Sequence, residues 1–362
     1  MERLLTTLQA SGHRFLLQTY SALDRYYRKK NGQAYYFLTQ APLAVLARLF
    51  DDVDYRGTSE SDAVVSLPGD SRAFFQCVDS LERPPARAFT VQRLYYDFDA
   101  DRYLDPAGVY GDLRARVLAS RDPVPTTPEI LRDAALLIAR YDLDYSREMF
   151  GPCPENRQLP VYEQKLLLLA LFSSDSPQKG LALLRDTGFI RVHWPEIEAM
   201  AAVPQTKDHH PEGNVFDHVL EAFGYRKKHG PALSFAIFLH DLGKTVVEGT
   251  KDQPYRDHAG RGAAMAGGFL RRLGMSPGLI DDVSWLVRFH MMPEALPRMP
   301  LYRIEKLLAS PLFPTLLELY RADLLSTFRG PGKYYEACRL YQAYLKKSGN
   351  PFRTLPSGKP IT

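Results

Sequence analysis

The sequence predicts an α/β head followed by two all-helical regions. Three observations carry this reading. Between about residues 35 and 118 short β-type runs alternate with Gly, Pro and Asp; beyond a proline-rich break at 121–128 the runs become rich in Leu and Ala; and every histidine but His13 lies between positions 193 and 290. A chain of 362 residues allows two or three domains at roughly 150 residues each. Its 46 basic and 42 acidic residues leave a net +4, too little for a chain built mainly to wrap nucleic acid. No apolar run is long enough to span a bilayer, and the N-terminus carries no signal-peptide core. Three widely spaced cysteines (Cys77, Cys153, Cys338) imply no disulfide framework. The expectation is a cytoplasmic protein without a membrane partner.

The first thirty residues hold Leu4, Leu5, Leu8, Phe15, Leu16, Tyr20 and Leu23 at helical spacing and read as helix. Ala34–Leu38, Ala63–Leu67 and Phe89–Val91 read as strands, and the break after 121 reads as the first boundary. Residues 129–141, 162–173 and 178–186 have helical composition. A loop over 203–214, rich in Pro, His and Asp, precedes a last helical block reaching Lys347. The expected divisions are a head over 1–122, a helical neck and body over 123–203, a C-terminal helical domain over 204–347 and a tail over 348–362.

The chemistry concentrates in the third of these. His218 lies inside a helical stretch; His240 and Asp241 follow the apolar run Phe235–Leu239 and precede Leu242-Gly243-Lys244; His258, His290 and Asp323 come later. Imidazole and carboxylate together suit first-row divalent cations, and ligands spread over several helices must converge in a core. An aspartate at the end of five apolar residues needs a compensating cation, and a metal there would lower the pKa of a bound water to yield a nucleophile. Lys244 could hold an anionic substrate by charge. A single helical histidine is more often a packed or surface residue, and His13, His193 and His229 are read that way.

The order H…HD…D with HD-x-G-K resembles the HD superfamily of metal-dependent phosphohydrolases. The resemblance implies that His218, His240, Asp241 and Asp323 ligate one metal, that His258 and His290 serve a second with Asp241 bridging, and that Lys244 lies on the phosphate side. The ions would be Mn, Fe, Ni, Co or Mg, one or two per chain. Farther upstream, Phe89-Thr90-Val91-Gln92-Arg93-Leu94-Tyr95-Tyr96-Asp97, the stretch Asp105 to Leu118, Ile130-Leu131-Arg132, Trp194-Pro195-Glu196-Ile197 and Gln205…His209-His210-Pro211-Glu212-Gly213 are similar, in order, to motifs of class II CCA-adding enzymes and bacterial poly(A) polymerases. That resemblance runs from about residue 35 to 345 and implies a nucleotidyltransferase-like head, a neck and body that binds RNA, and an HD domain.

The departures from those motifs bear on function. The glycine-rich turn that cradles nucleotide phosphates in the family is here Thr39-Gln40-Ala41-Pro42-Leu43-Ala44, without glycine, Arg or Asp. Asp52-Val53-Asp54 stands where a Mg²⁺-binding carboxylate pair belongs, Arg87 is the one arginine kept before the Phe-Thr motif, and the base-reading template is replaced by Thr126-Thr127-Pro128-Glu129-Ile130. The leading expectation is a metal-dependent phosphohydrolase acting on a nucleotide or an RNA 3′ end. The alternative is a working tRNA nucleotidyltransferase or poly(A) polymerase using Asp52 and Asp54 with Mg²⁺. A third reading is a silent RNA-binding protein using Arg226-Lys227-Lys228, Arg271-Arg272 and Lys346-Lys347, with Tyr334 and Tyr335 for stacking.

Overall fold

The computed structural model describes residues 2–30, 34–58, 61–204, 213–247, 257–327 and 329–347. The chain divides into two compact units, one comprising Met1–Pro125 with Leu143–Met149 and the other Thr126–Asp142 with Phe150–Thr362. The first unit ends at Pro125 and regains one short segment, Leu143–Met149.

The first unit is built on β1 (Phe15–Leu17), β2 (Ala34–Thr39), β3 (Val53–Asp54), β4 (Ala63–Leu67), β5 (Ser71–Cys77), β6 (Tyr95–Asp97) and β7 (Arg102–Leu104). They form one sheet in the order β3-β4-β5-β2-β1-β6-β7, in which β2 and β5 run parallel and the other neighbours antiparallel. Central β1 is buried on both faces. Phe15 and Leu17 join Phe37, Phe75 and Tyr96 on one face, packed with Leu4 and Leu8 of α1 (Glu2–Ala10), Ala22 of α2 (Thr19–Tyr26) and Leu46 of α3 (Leu43–Leu49); Leu16 joins Leu38, Leu81 and Tyr95 on the other. Phe37 and Phe75 stack across β2 and β5 with centroids 5.1 Å apart, an interaction that adds to their area burial. Helix α4 (Tyr110–Ala115) and the pair β8 (Val117–Leu118) and β9 (Asp144–Tyr145) complete this unit.

Two sequence expectations are corrected here. The first thirty residues are not continuous helix, because Gly12 turns the chain at φ +73° and Phe15–Leu17 becomes a central strand. Phe89–Val91 is not a strand: the Phe89 N–H bonds Gln92 Oε1 at 3.3 Å, and Thr90–Arg93 closes into a 3₁₀ turn.

The second unit is helical. It runs through α5 (Pro128–Tyr141), α6 (Val161–Ser173), α7 (Pro177–Asp186), α8 (Phe189–His193) and α9 (Pro195–Glu198), then α10 (Val215–Gly224), α11 (Pro231–Leu239), α12 (His258–Arg272), α13 (Pro277–Phe289), α14 (Met292–Ala295), α15 (Leu301–Leu308), α16 (Phe313–Leu325) and α17 (Gly332–Lys347). Thr127 caps α5 by accepting the Ile130 N–H, with Pro128 at the first helical position. Helix α11 is apolar on every side, so it is buried on every side: residues 233 to 239 are all buried, and Phe235 and Phe238 pack on Phe172 with centroids 4.7 and 5.3 Å away. Its C-terminus therefore delivers His240 and Asp241 into the interior. No helix among the described residues is long and apolar enough to cross a membrane.

Candidate metal centre

Five helical segments bring six side chains of the sequence-predicted set together. His218 comes from α10, His240 and Asp241 from the end of α11, His258 from the first position of α12, His290 from the end of α13 and Asp323 from α16. Among the described residues, three or more potential metal donors converge in two groups, His218, His240 and Asp323, and Asp241, His258 and His290. His218 is fully buried, and His240, Asp241 and His290 are each exposed by 2% or less.

Asp241 joins the two groups. Its Oδ2 lies 3.4 Å from His240 Nε2 and 3.9 Å from His218 Nε2, while its Oδ1 lies 3.6 Å from His258 Nε2 and 3.7 Å from His290 Nε2. Asp323 Oδ1 is 3.0 Å from His218 Nε2 and 3.7 Å from His240 Nε2. The ring nitrogens approach each other at 3.4 Å (His218, His240) and 3.2 Å (His258, His290). Nitrogens about 2.1 Å from a common tetrahedral ion stand about 3.4 Å apart, so both spacings suit shared coordination.

The tautomers sharpen the fit. His240 Nδ1 lies 2.9 Å from the Ile237 carbonyl and His290 Nδ1 2.7 Å from the Val287 carbonyl; a carbonyl only accepts, so each Nδ1 carries the proton. Ser326 gives its hydroxyl proton to the Asp323 carbonyl at 2.7 Å, which leaves its oxygen to accept from His218 Nδ1 at 3.2 Å. The Nε2 atoms of His218, His240 and His290 are thereby turned toward Asp241 and Asp323, where a divalent cation would sit. This outer layer of Ser326 and two carbonyls orients the ligands in the manner of metal-bound histidines.

Charge supports the same conclusion. Burial alone would raise the pKa of Asp241, but the Lys244 ammonium and the His240 imidazole overcome it and hold the carboxyl well below the ordinary range. Burial likewise opposes ionisation of Asp323, and the hydrogen bond from His218 with the field of His240 overrides it. Burial pushes His290 down to about 4, so its ring is neutral at pH 7. Two ionised carboxylates set among four imidazoles make a donor set that suits divalent cations. The donor set fits the expected metals: His218, His240, Asp323 and one Asp241 oxygen would hold one ion, His258, His290 and the other Asp241 oxygen a second.

Lys244 donates to Asp241 Oδ2 at 2.7 Å, so it is anchored on the bridging carboxylate at the edge of the centre. Gly243 is required beside it: a Cβ there would meet the His258 carbonyl at 2.0 Å and the Gly262 nitrogen at 2.6 Å, so the turn carrying Lys244 reaches the start of α12 only without a side chain. Ser326, Gly262 and the two orienting carbonyls were not singled out from the sequence; the signal for Ser326 is its place three residues after Asp323.

The head is arranged differently. Thr39 Oγ1 donates to the Arg14 carbonyl at 2.9 Å and accepts the Ala41 N–H at 2.9 Å, while Pro42 has no N–H to offer. Gln40 reaches the Asp79 carbonyl at 2.8 Å. Asp52 is exposed, and Asp54, on β3, forms a two-pronged pair with Arg56 at 2.9 and 2.8 Å; that hydrogen bonding holds its pKa down to about 2. Arg87 is only 8% exposed, and its Nη2 donates to Gln18 Oε1 at 2.9 Å and Gln76 Oε1 at 2.6 Å.

Two basic positions expected on the surface belong to the interior or to ion pairs. Arg226 is buried, donating to the Phe172 and Ser174 carbonyls at 2.5 Å and to Ser234 Oγ at 2.7 Å, and burial lowers its pKa to about 10. Arg272 pairs with Glu196. His193 is the packing residue expected: its Nε2 accepts the Leu159 N–H at 2.9 Å and its ring stacks on Phe189 at 3.8 Å. The expected loop over 203–214 falls mostly outside the described residues, His209 and His210 included.

No family model matches the chain. It is 32% identical over 176 residues to the Multifunctional CCA protein of Pseudomonas syringae pv. syringae (strain B728a), covering 44% of this chain and 42% of that protein. To the Multifunctional CCA protein of Chromobacterium violaceum it is 31% identical over 207 residues, covering 51% and 48%. The chain thus spans about half the length of the curated relatives it matches. Among solved structures, a tRNA nucleotidyltransferase complexed with a primer tRNA and an incoming ATP analog matches with a TM-score of 0.57 at 15% identity, over 94% of this chain and 97% of that one. The Bacillus stearothermophilus CCA-adding enzyme in complex with CTP matches with a TM-score of 0.54 at 16% identity, over 99% and 87%. The fold, a mixed sheet with helices at the head and a mostly helical body, is the one those structures share, as the sequence motifs implied.

Proposed function

We propose that the chain is a metal-dependent phosphohydrolase of the HD type, acting on a phosphoester of a nucleotide or an RNA end. The observation that carries this reading is the bridging geometry of Asp241, which turns one oxygen to His218 and His240, themselves beside Asp323, and the other to His258 and His290. A divalent cation in such a centre supplies Lewis-acid chemistry: it polarises a phosphoryl oxygen and makes water a nucleophile at neutral pH. The chain's own part is to hold that chemistry in place. Ser326 and the carbonyls of Ile237 and Val287 fix the imidazoles, Asp241 and Asp323 supply the negative charge, and Lys244, anchored on Asp241, brings the positive charge that would attract a phosphoryl oxygen. The substrate class follows from the likeness to tRNA-processing proteins. The test is hydrolysis of 2′,3′-cyclic nucleotides and nucleoside monophosphates with Mn, Ni, Co or Mg added back. A His240→Ala/Asp241→Ala protein as active as the wild type removes the reading.

A second reading, nucleotidyl transfer to tRNA at the head with Asp52, Asp54, Arg87 and Mg²⁺, is favoured by the names and fold of the similar proteins. Set against it in this chain are the self-bonded loop after β2, the Arg56 clamp on Asp54 and the engagement of Arg87 with Gln18 and Gln76. Incorporation of CTP or ATP onto tRNA lacking its 3′ end, abolished by Asp54→Ala, supports it; no incorporation with Mg²⁺ or Mn²⁺ rules it out.

A further inference from the structure

Three of the helices that carry the donor cluster also share a cleft at their opposite ends. It opens between the loop before α11 and the first two turns of α11, α13 and α16, and its volume is about 390 Å³, within the range of small-organic-ligand sites. Its open wall is apolar: Pro231 and Pro314 are exposed and Leu279 is half-buried. Its charges are few. Glu318 is already engaged, pairing with Arg321 at 3.2 Å through Oε2 and accepting from the Tyr334 hydroxyl at 3.4 Å through Oε1. Lys228, from the loop, and Asp282, from α13, are not: neither side chain has an ion pair or hydrogen bond with another described residue. The loop that carries Lys228 is held from within, because Arg226, two residues earlier, donates to the Phe172 and Ser174 carbonyls and to Ser234 Oγ.

One ammonium and one carboxylate beside an apolar wall select a ligand by charge. A nucleotide phosphate would meet Lys228 alone and be repelled by Asp282 and Glu318. A fatty acid leaves Asp282 without a partner, and an aliphatic amine leaves Lys228 without one. We propose that this cleft is an effector site for a free amino acid with an apolar side chain: its carboxylate meets Lys228, its ammonium meets Asp282, and its side chain covers Pro231, Leu279 and Pro314.

The position of the cleft gives it a role. Along α11, α13 and α16 it lies roughly 12–16 Å from His240, His290 and Asp323, at 1.5 Å per residue. Helix α11 packs on α13 and α16, and α13 packs on α16. Because α11 is buried on every side, a shift at its start is not absorbed by slack in the packing and passes to His240 and Asp241. A ligand that draws the three helix starts together favours the assembled donor cluster, and by linkage a metal in that cluster favours the ligand by the same factor. This regulatory role rests on the metal-centre reading; the binding itself does not.

The test is calorimetric titration of purified full-length protein, stripped with a chelator and then reloaded with Co²⁺, with L-leucine and L-phenylalanine. Leucinamide lacks the carboxylate, N-acetyl-leucine the ammonium and glycine the apolar side chain, and each should bind about fivefold more weakly or worse. Lys228→Ala and Asp282→Ala remove no contact within the chain, so each should weaken leucine binding about fivefold with the unfolding temperature unchanged. Metal loading should tighten leucine binding about threefold or more, and the tightened binding should still depend on Lys228, whereas leucine held directly on the ion would ignore that residue. No binding of either amino acid, equal binding of leucinamide or N-acetyl-leucine, tighter binding of AMP than of leucine, or unchanged affinity in both variants would each overturn the site. Equal affinity for leucine before and after metal uptake would overturn its effector role. Lys228-dependent leucine binding by a protein that takes up no metal would support the site while the hydrolase reading alone falls.

Discussion

The end of α11 and the loop after β2 are both places where a regular element stops and functional groups gather, yet they are built in opposite ways. At the end of α11, Ser326 and two carbonyls engage the Nδ1 atoms of His218, His240 and His290 and turn their Nε2 atoms toward one another and toward Asp241 and Asp323. At the loop after β2 the chain satisfies itself, the Ala41 N–H being taken by Thr39, and on β3 Asp54 is taken by Arg56. A candidate binding site gathers several donors of one kind at a single point; a sheet needs only its packing residues. The head packs Phe15, Phe37 and Phe75 together while the loop after β2 bonds to itself.

That contrast can be broken most severely at Asp241. Asp241→Ala removes the one group shared by both halves of the centre, and phosphoester hydrolysis should fall by about a thousandfold or more, read as product release with metal in excess. Next comes the layer behind the ligands. Ser326→Ala frees His218 to rotate and should weaken metal affinity about ten- to a hundredfold, measured by competition with a chelating dye. Gly243→Ala forces a Cβ into the His258 carbonyl and should destabilise the second unit by about 1–3 kcal/mol, with the loss read from chemical denaturation. In the head, Thr39→Val deprives the buried Ala41 N–H of its partner and should cost about 1 kcal/mol of stability with hydrolysis unchanged.

The smallest effect concerns His193. Burial lowers its pKa below the ordinary value, so as pH falls through about 6.5 the unfolded chain takes up a proton that the folded chain refuses. Stability is present above that pH and is lost below it. The fall in thermal midpoint between about pH 7 and pH 5 should be smaller in His193→Gln than in the wild type.

The residues that converge at the end of α11 were legible in the sequence because their order is distinctive and the apolar run Phe235–Leu239 announced a buried terminus. Their supports were not: Gly262 beside Gly243, and Ser326 beneath His218, become meaningful only once α12 and α16 are packed. In the head, Ala34–Thr39 and Ala63–Leu67 showed as strands, whereas Phe15–Leu17 was hidden among leucines spaced as in a helix. Arg87 was recognisable as a retained cation; that Gln18 and Gln76 would converge on it was not, since the three residues lie far apart in sequence and meet through strand pairing.

The claim at the centre of this account is that one carboxylate, Asp241, organises two ion sites. Elemental analysis of purified full-length protein, expressed as metal per chain, tests it directly. The account predicts two equivalents in the wild type, about one in His258→Ala or His290→Ala, and essentially none in Asp241→Ala. A wild-type protein that retains no metal after reconstitution, or an Asp241→Ala protein that retains both equivalents, would contradict it.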